Sequence, residues 1–117
     1  MSIPSGSGTE VLKRQTATGD FDSNPVILTV PTDHIFTIIS LNIVEAGSAS
    51  EIFWLTMTDA SNSNRVIDFV RSQVLTANQT FIYSDRIILN SGDTLKLQSG
   101  SVCNMDVYIS YIDQDWT

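Results

Sequence analysis

The chain has 117 residues and carries 13 Asp and Glu against 6 Lys and Arg, a formal charge of −7. That length suits one domain, and a domain this size buries over roughly 60% of its unfolded surface, enough for a core without covalent staples. The acidic balance repels phosphate backbones and anionic headgroups, so neither nucleic acid nor a membrane is an expected partner. Cys103 is the only cysteine. An internal disulfide and a cysteine-built metal site are thereby excluded, and the thiol reads as a small buried hydrophobe of a protein that matures in a reducing compartment.

Residues 1–9 are uncharged and rich in Gly and Ser. They form neither the charged nor the apolar region of a secretory leader and read as an N-terminal arm. The arm is expected to lie against a partner, with Ile3 and Pro4 as contact residues. Residues 10–117 form the single domain.

Within it, β-rich runs alternate with turn chemistry. The runs are 11–17, 26–30, 34–44, 52–58, 65–70, 80–84, 86–89, 94–98 and 105–112, separated by clusters of Gly, Asn, Asp, Ser and Pro. Several keep the period of two that places alternate side chains on one face. Leu95 and Leu97 alternate with Lys96 and Gln98; Val107, Ile109 and Tyr111 alternate with Asp106, Tyr108 and Ser110. In the longest run, Ile35, Ile39, Leu41 and Ile43 are expected to share a face opposite Phe36 and Ile38. Residues 66–75 have near-helical spacing, but their β-branched content favours a strand and loop over a helical turn. Eight or nine short strands without amphipathic helices predict an all-β domain: a two-sheet antiparallel β-sandwich, jelly-roll-like.

Candidate chemistry is sparse. His34 is the only histidine, and Asp33 precedes it. Neighbours in a strand face opposite ways, so Asp33 is poorly placed to orient an imidazole base, and no Gly-x-Ser-x-Gly elbow is present. Asp20, Asp22 and Asn24 echo a calcium loop, but Pro25 stands where such loops need Gly and no closing Glu follows. An Asx-turn is the preferred reading. Phosphate-loop and dinucleotide fingerprints are absent. Asn78, Gln79 and Thr80 match a glycosylation acceptor and read as a loop. Phe53, Trp54 and Phe81 are expected in a core or subunit interface. Trp116, next to the end, is the candidate tail anchor on a neighbour. No catalytic residue, cofactor or metal ligand is expected.

The order of motifs resembles small β-sandwich virion proteins of tailed bacteriophages. The residues that carry it are Val11, Leu12, Lys13, Arg14 and Gln15; Leu28, Thr29, Val30 and Pro31; the long strand running into Glu45, Ala46, Gly47, Ser48 and Ala49; Ser91, Gly92, Asp93, Thr94 and Leu95; and the final alternation from Val107 to Tyr111. The resemblance implies a non-enzymatic virion structural protein of capsid decoration (cement) type. Such a subunit would be made in the host cytoplasm and would bind the outer head surface as a homotrimer. Its partners would be itself and the major capsid protein or other virion proteins. A neck, tail or fibre-associated subunit is the alternative within that group. A carbohydrate-binding sandwich using Tyr83, Tyr108 and Trp116 is the alternative outside it.

Overall fold

The structure, a computed structural model, describes residues 9–22 and 25–116. The nine expected strands are all present: β1 (Thr9–Gly19), β2 (Val26–Thr29), β3 (His34–Glu45), β4 (Glu51–Asp59), β5 (Arg65–Leu75), β6 (Thr80–Tyr83), β7 (Ile87–Leu89), β8 (Thr94–Ser99) and β9 (Met105–Asp115). One sheet runs β1-β9-β3-β6, with β7 also paired to β3; the other runs β2-β8-β4-β5. The pairs β1–β9, β3–β9, β3–β6, β3–β7, β2–β8, β4–β8 and β4–β5 are all antiparallel. The sheets face each other as the expected sandwich. Thr9 opens β1, and the rest of the expected arm, including Ile3 and Pro4, lies outside the described residues.

The core is the inner face of both sheets. Ile38, Leu41 and Ile43 of β3 and Ile109 of β9 meet Phe53 and Leu55 of β4 and Leu95 and Leu97 of β8, all fully buried. The alternations of β8 and β9 fall as expected, with Lys96, Gln98, Asp106 and Tyr108 turned outward.

Strand β3 departs from the expected pattern. Opposite β9, its register slips between Ile38 and Ser40. The extra residue, Ile39, is a bulge that inverts the side-chain phase. Phe36 and Ile38 therefore share the core face with Leu41 and Ile43, while Ile39 turns outward and is 38% exposed. Strand β5 carries two register shifts against β4, and Ser72 within it has φ of 52°. Those shifts explain its near-helical spacing: apolar residues lose the period of two without leaving the strand. A short 3-10 turn instead occupies Ala60–Asn62, capped by the Asp59 side chain.

The Gly92, Asp93 turn is fixed by hydrogen bonds on both sides. The Asp93 carboxylate is buried; it accepts from the backbone N–H of Ala60 (2.9 Å) and of Asn90 (2.8 Å). Gly92 N–H donates to Val30 C=O and Val30 N–H to Asp93 C=O, both at 3.0 Å. One side chain thus ties the β7–β8 turn to the β4–β5 turn, while its backbone holds the end of β2.

A candidate assembly surface

Because β9 alternates cleanly, its even-numbered residues and their register partners form the outer face of the first sheet. One row across that face is Leu12, Ile112, Thr37 and Ile88. Another is Thr16, Tyr108, Asn42 and Ile82. The ends of these rows stand in solvent: Leu12 is 71% exposed, Ile88 63% and Ile82 62%. The β3 bulge adds Ile39 to the same face. Two shallow hollows flank Tyr108, one of about 600 Å³ bordered by Thr16, Asn42 and Asp106, the other of about 520 Å³ bordered by Leu12, Arg14 and Ile39. A sheet face with apolar side chains gathered across five strands is the kind of surface that other proteins cover.

The sheet edges differ from one another. Strands β6 and β7 are four and three residues long. Strand β2 has four residues and a register shift, and β5 has two shifts. Short, bulged edges resist pairing with another chain. Strand β1 has neither protection: all 11 residues pair with β9 without a slip, and the strand contains no Pro. Among the described residues nothing pairs with its opposite side, which forms an open edge.

The possible chemistry of His34 resolves into a cross-strand clamp. His34 Nδ1 lies 2.7 Å from Asp113 Oδ1, and Nε2 lies 3.4 Å from Asp115 Oδ1. Lys13 Nζ donates to Asp113 Oδ2 at 2.7 Å. The cluster therefore joins β1, β9 and β3 at one end of the sheet. The Asp113 side chain is only 4% exposed. Burial pushes its carboxyl up, but hydrogen bonds from Lys13 and His34 outweigh that and hold its pKa below the ordinary aspartate value. The hydrogen bond to Asp113, with its charge, raises the Lys13 pKa. Both imidazole nitrogens already face carboxylates. Ser91 Oγ bonds the His34 carbonyl (3.4 Å) and the Asp33 N–H (3.0 Å), main-chain groups rather than the ring. The residues that hold His34 come from β9, not from the adjacent Asp33. Asp113 and Asp115, two apart on one face of β9, were the readable signal, but only the β3–β9 register shows that they meet His34.

Trp116 is half-buried against its own domain. Its backbone N–H donates to Asp33 C=O at 2.9 Å, and its indole N–H is buried without a hydrogen-bond partner among the described residues. Phe81 packs edge-on against Phe53 (5.2 Å) and Tyr83 lies against Phe69 (6.2 Å), so both turn toward the core. Trp54 is half-buried beside Gly100. Tyr108 stays 41% exposed, on the apolar face. Cys103 is half-buried, its thiol 3.7 Å from Gly19 C=O. The loop at Asp20 is an Asx-turn, with Asp22 N–H donating to Asp20 Oδ1 at 2.9 Å. Asn78 occupies a turn at φ of 64°.

No family model matches the chain. No curated protein matches it in sequence. Among solved structures, it is similar to a chain from "Bacillus endospore appendages form a novel family of disulfide-linked pili", with a TM-score of 0.58 and 10% identity over 96% of this chain and 93% of that one. It is also similar to a chain of infectious bursal disease virus, Gx strain, with a TM-score of 0.55 and 8% identity over 95% of this chain. The match spans 34% of that viral chain's length. At these identities the likeness shows the fold: a two-sheet, jelly-roll-like β-sandwich that a pilus structure and a virus structure also contain.

Proposed function

We propose that this chain is a structural subunit that works by adhesion, without catalysis. In its fuller form the proposal is a bacteriophage capsid decoration protein that sits on the outer head surface as a homotrimer. The observation that carries it is the outer face of the first sheet, where Leu12, Ile39, Ile82, Ile88 and Tyr108 stand together in solvent. Leaving such a face uncovered forgoes roughly 25 cal/mol for each Å² of apolar surface, and a sister subunit or a shell protein recovers that energy. The net charge of −7 keeps free subunits apart and soluble until specific contacts form. The order of motifs resembles phage virion proteins, and two of the structural likenesses are to chains of a pilus and a virus. Many weak contacts repeated around a lattice then add up to firm attachment.

The test is multi-angle light scattering of the purified chain beside a variant carrying Ile82→Ser and Ile88→Ser. Both side chains are more than 60% exposed, so the variant should still fold, losing only the melting temperature that association adds. The proposal expects a wild-type trimer that the variant loses. A wild type that stays monomeric up to hundreds of micromolar, or a variant that associates undiminished, would overturn it.

A further inference from the structure

The open edge of β1 supports an inference that goes beyond the apolar face. We propose that two copies of this chain pair along β1, antiparallel about a two-fold axis at Leu12, so that their first sheets join into one continuous sheet.

Residues directly opposite in an antiparallel pair lie on the same face, and two-fold pairing maps each strand onto itself. The possible registers are therefore those centred on a single β1 residue. Centring on Glu10, Lys13 or Arg14 places like charges directly opposite, which destabilises a pair. Centring on Val11 sets Glu10 against Leu12 and Lys13 against Thr9, which matches no charges. Centring on Leu12 sets Leu12 against Leu12 and Glu10 against Arg14 at both ends, with Val11 against Lys13 between them. It is the register near the strand's charged half that pairs acid with base.

The side chains are ready for this contact. Glu10 is held in the outward row by Gln114, whose amide donates to it at 2.8 Å. Arg14 is exposed and makes no ion pair with any described residue. Leu12, the most exposed residue of the row it ends, becomes the centre of a doubled row: Ile88, Thr37, Ile112 and Leu12 facing Leu12, Ile112, Thr37 and Ile88 of the second copy. Strand pairing satisfies the backbone groups that the edge leaves open. A contact of one strand on each side falls short of the roughly 1,200 Å² of a standard interface, so the dimer is expected in the micromolar range. Ile82 and Ile88 lie toward the opposite edge, so this contact can link copies that also meet through the apolar face.

Sedimentation of the intact chain at rising concentration tests the pairing, carried out in the Ile82→Ser, Ile88→Ser background as well as in the wild type. The mass should double with concentration in both. Glu10→Lys or Arg14→Glu alone replaces two opposite-charge pairs by two like-charge pairs and should weaken doubling about ten- to a hundredfold. Glu10→Lys with Arg14→Glu should restore it. Absence of doubling, doubling insensitive to either single change, or failure of the combined variant to restore it would each overturn the inference. These outcomes leave the apolar-face proposal standing, because that proposal is read from the Ile82, Ile88 variant alone.

Discussion

Removing the Asp93 carboxylate tests whether the Gly92, Asp93 turn acts as a structural lock. In Asp93→Ala, the backbone bonds of residue 93 to Val30 and Asn90 remain, but the side-chain bonds to Ala60 N–H and Asn90 N–H are lost. Hydrogen bonds to a charged group contribute about 1.5–3 kcal/mol each. Ala60 and Asn90 are only half-buried, so water takes up part of the loss, and the net cost should be about 2–4 kcal/mol. For 117 residues the unfolding entropy is about 0.25 kcal/mol per degree, so Tm should fall by about 8–16 °C. Asp93→Asn keeps one acceptor oxygen and should lose about half as much. Calorimetry or a circular-dichroism melt reads both variants. An Asp93→Ala protein that melts within about 2 °C of the wild type would refute the reasoning.

The β3 bulge makes a second prediction. Deleting Ile39 closes the bulge: Phe36, Ile38, Leu41 and Ile43 then share the core face by plain alternation, in unbroken register with β9. Urea melts should therefore find the deletion folded, at a cost of under about 2 kcal/mol, and Ile39→Ser should cost under about 1 kcal/mol; a deletion that unfolds the chain would contradict the bulge. Acid unfolding should report Asp113. Its folded pKa lies below the ordinary 3.8, so its contribution is full above that value and is lost as pH falls through the folded pKa. Wild-type stability should therefore drop more steeply below about pH 4 than that of Asp113→Asn, and equal slopes would contradict the clamp. Lys13 has the opposite sign: its pKa is raised above 10.5, so its contribution is present below that value and is lost as pH climbs through the folded pKa.

All nine strands were legible in the chain, because turn residues and the period of two are local properties. Side-chain phase was legible only where no bulge intervened. Residues 94–98 and 105–112 point as the alternation says, whereas Ile39 inverts half of β3, because a bulge is set by register with β9 rather than by local sequence. The two shifts in β5 disguised a strand for the same reason. Asp93 was visible as part of a recurring turn, but its bond to Ala60 spans 33 positions and belongs to the packing of two loops. The His34 clamp reaches 79 positions to Asp113. The apolar face was hidden most completely. Leu12, Ile88 and Ile82 each look ordinary in their own strands, and only the register of β1, β9, β3, β6 and β7 gathers them.

The most direct measurement of the central claim is a cryo-EM map of the assembly in which the native chain occurs. The account predicts repeated copies, with the face bearing Ile82, Ile88 and Tyr108 covered by a sister subunit or a shell protein. Copies held elsewhere, with that face bare to solvent, would contradict it.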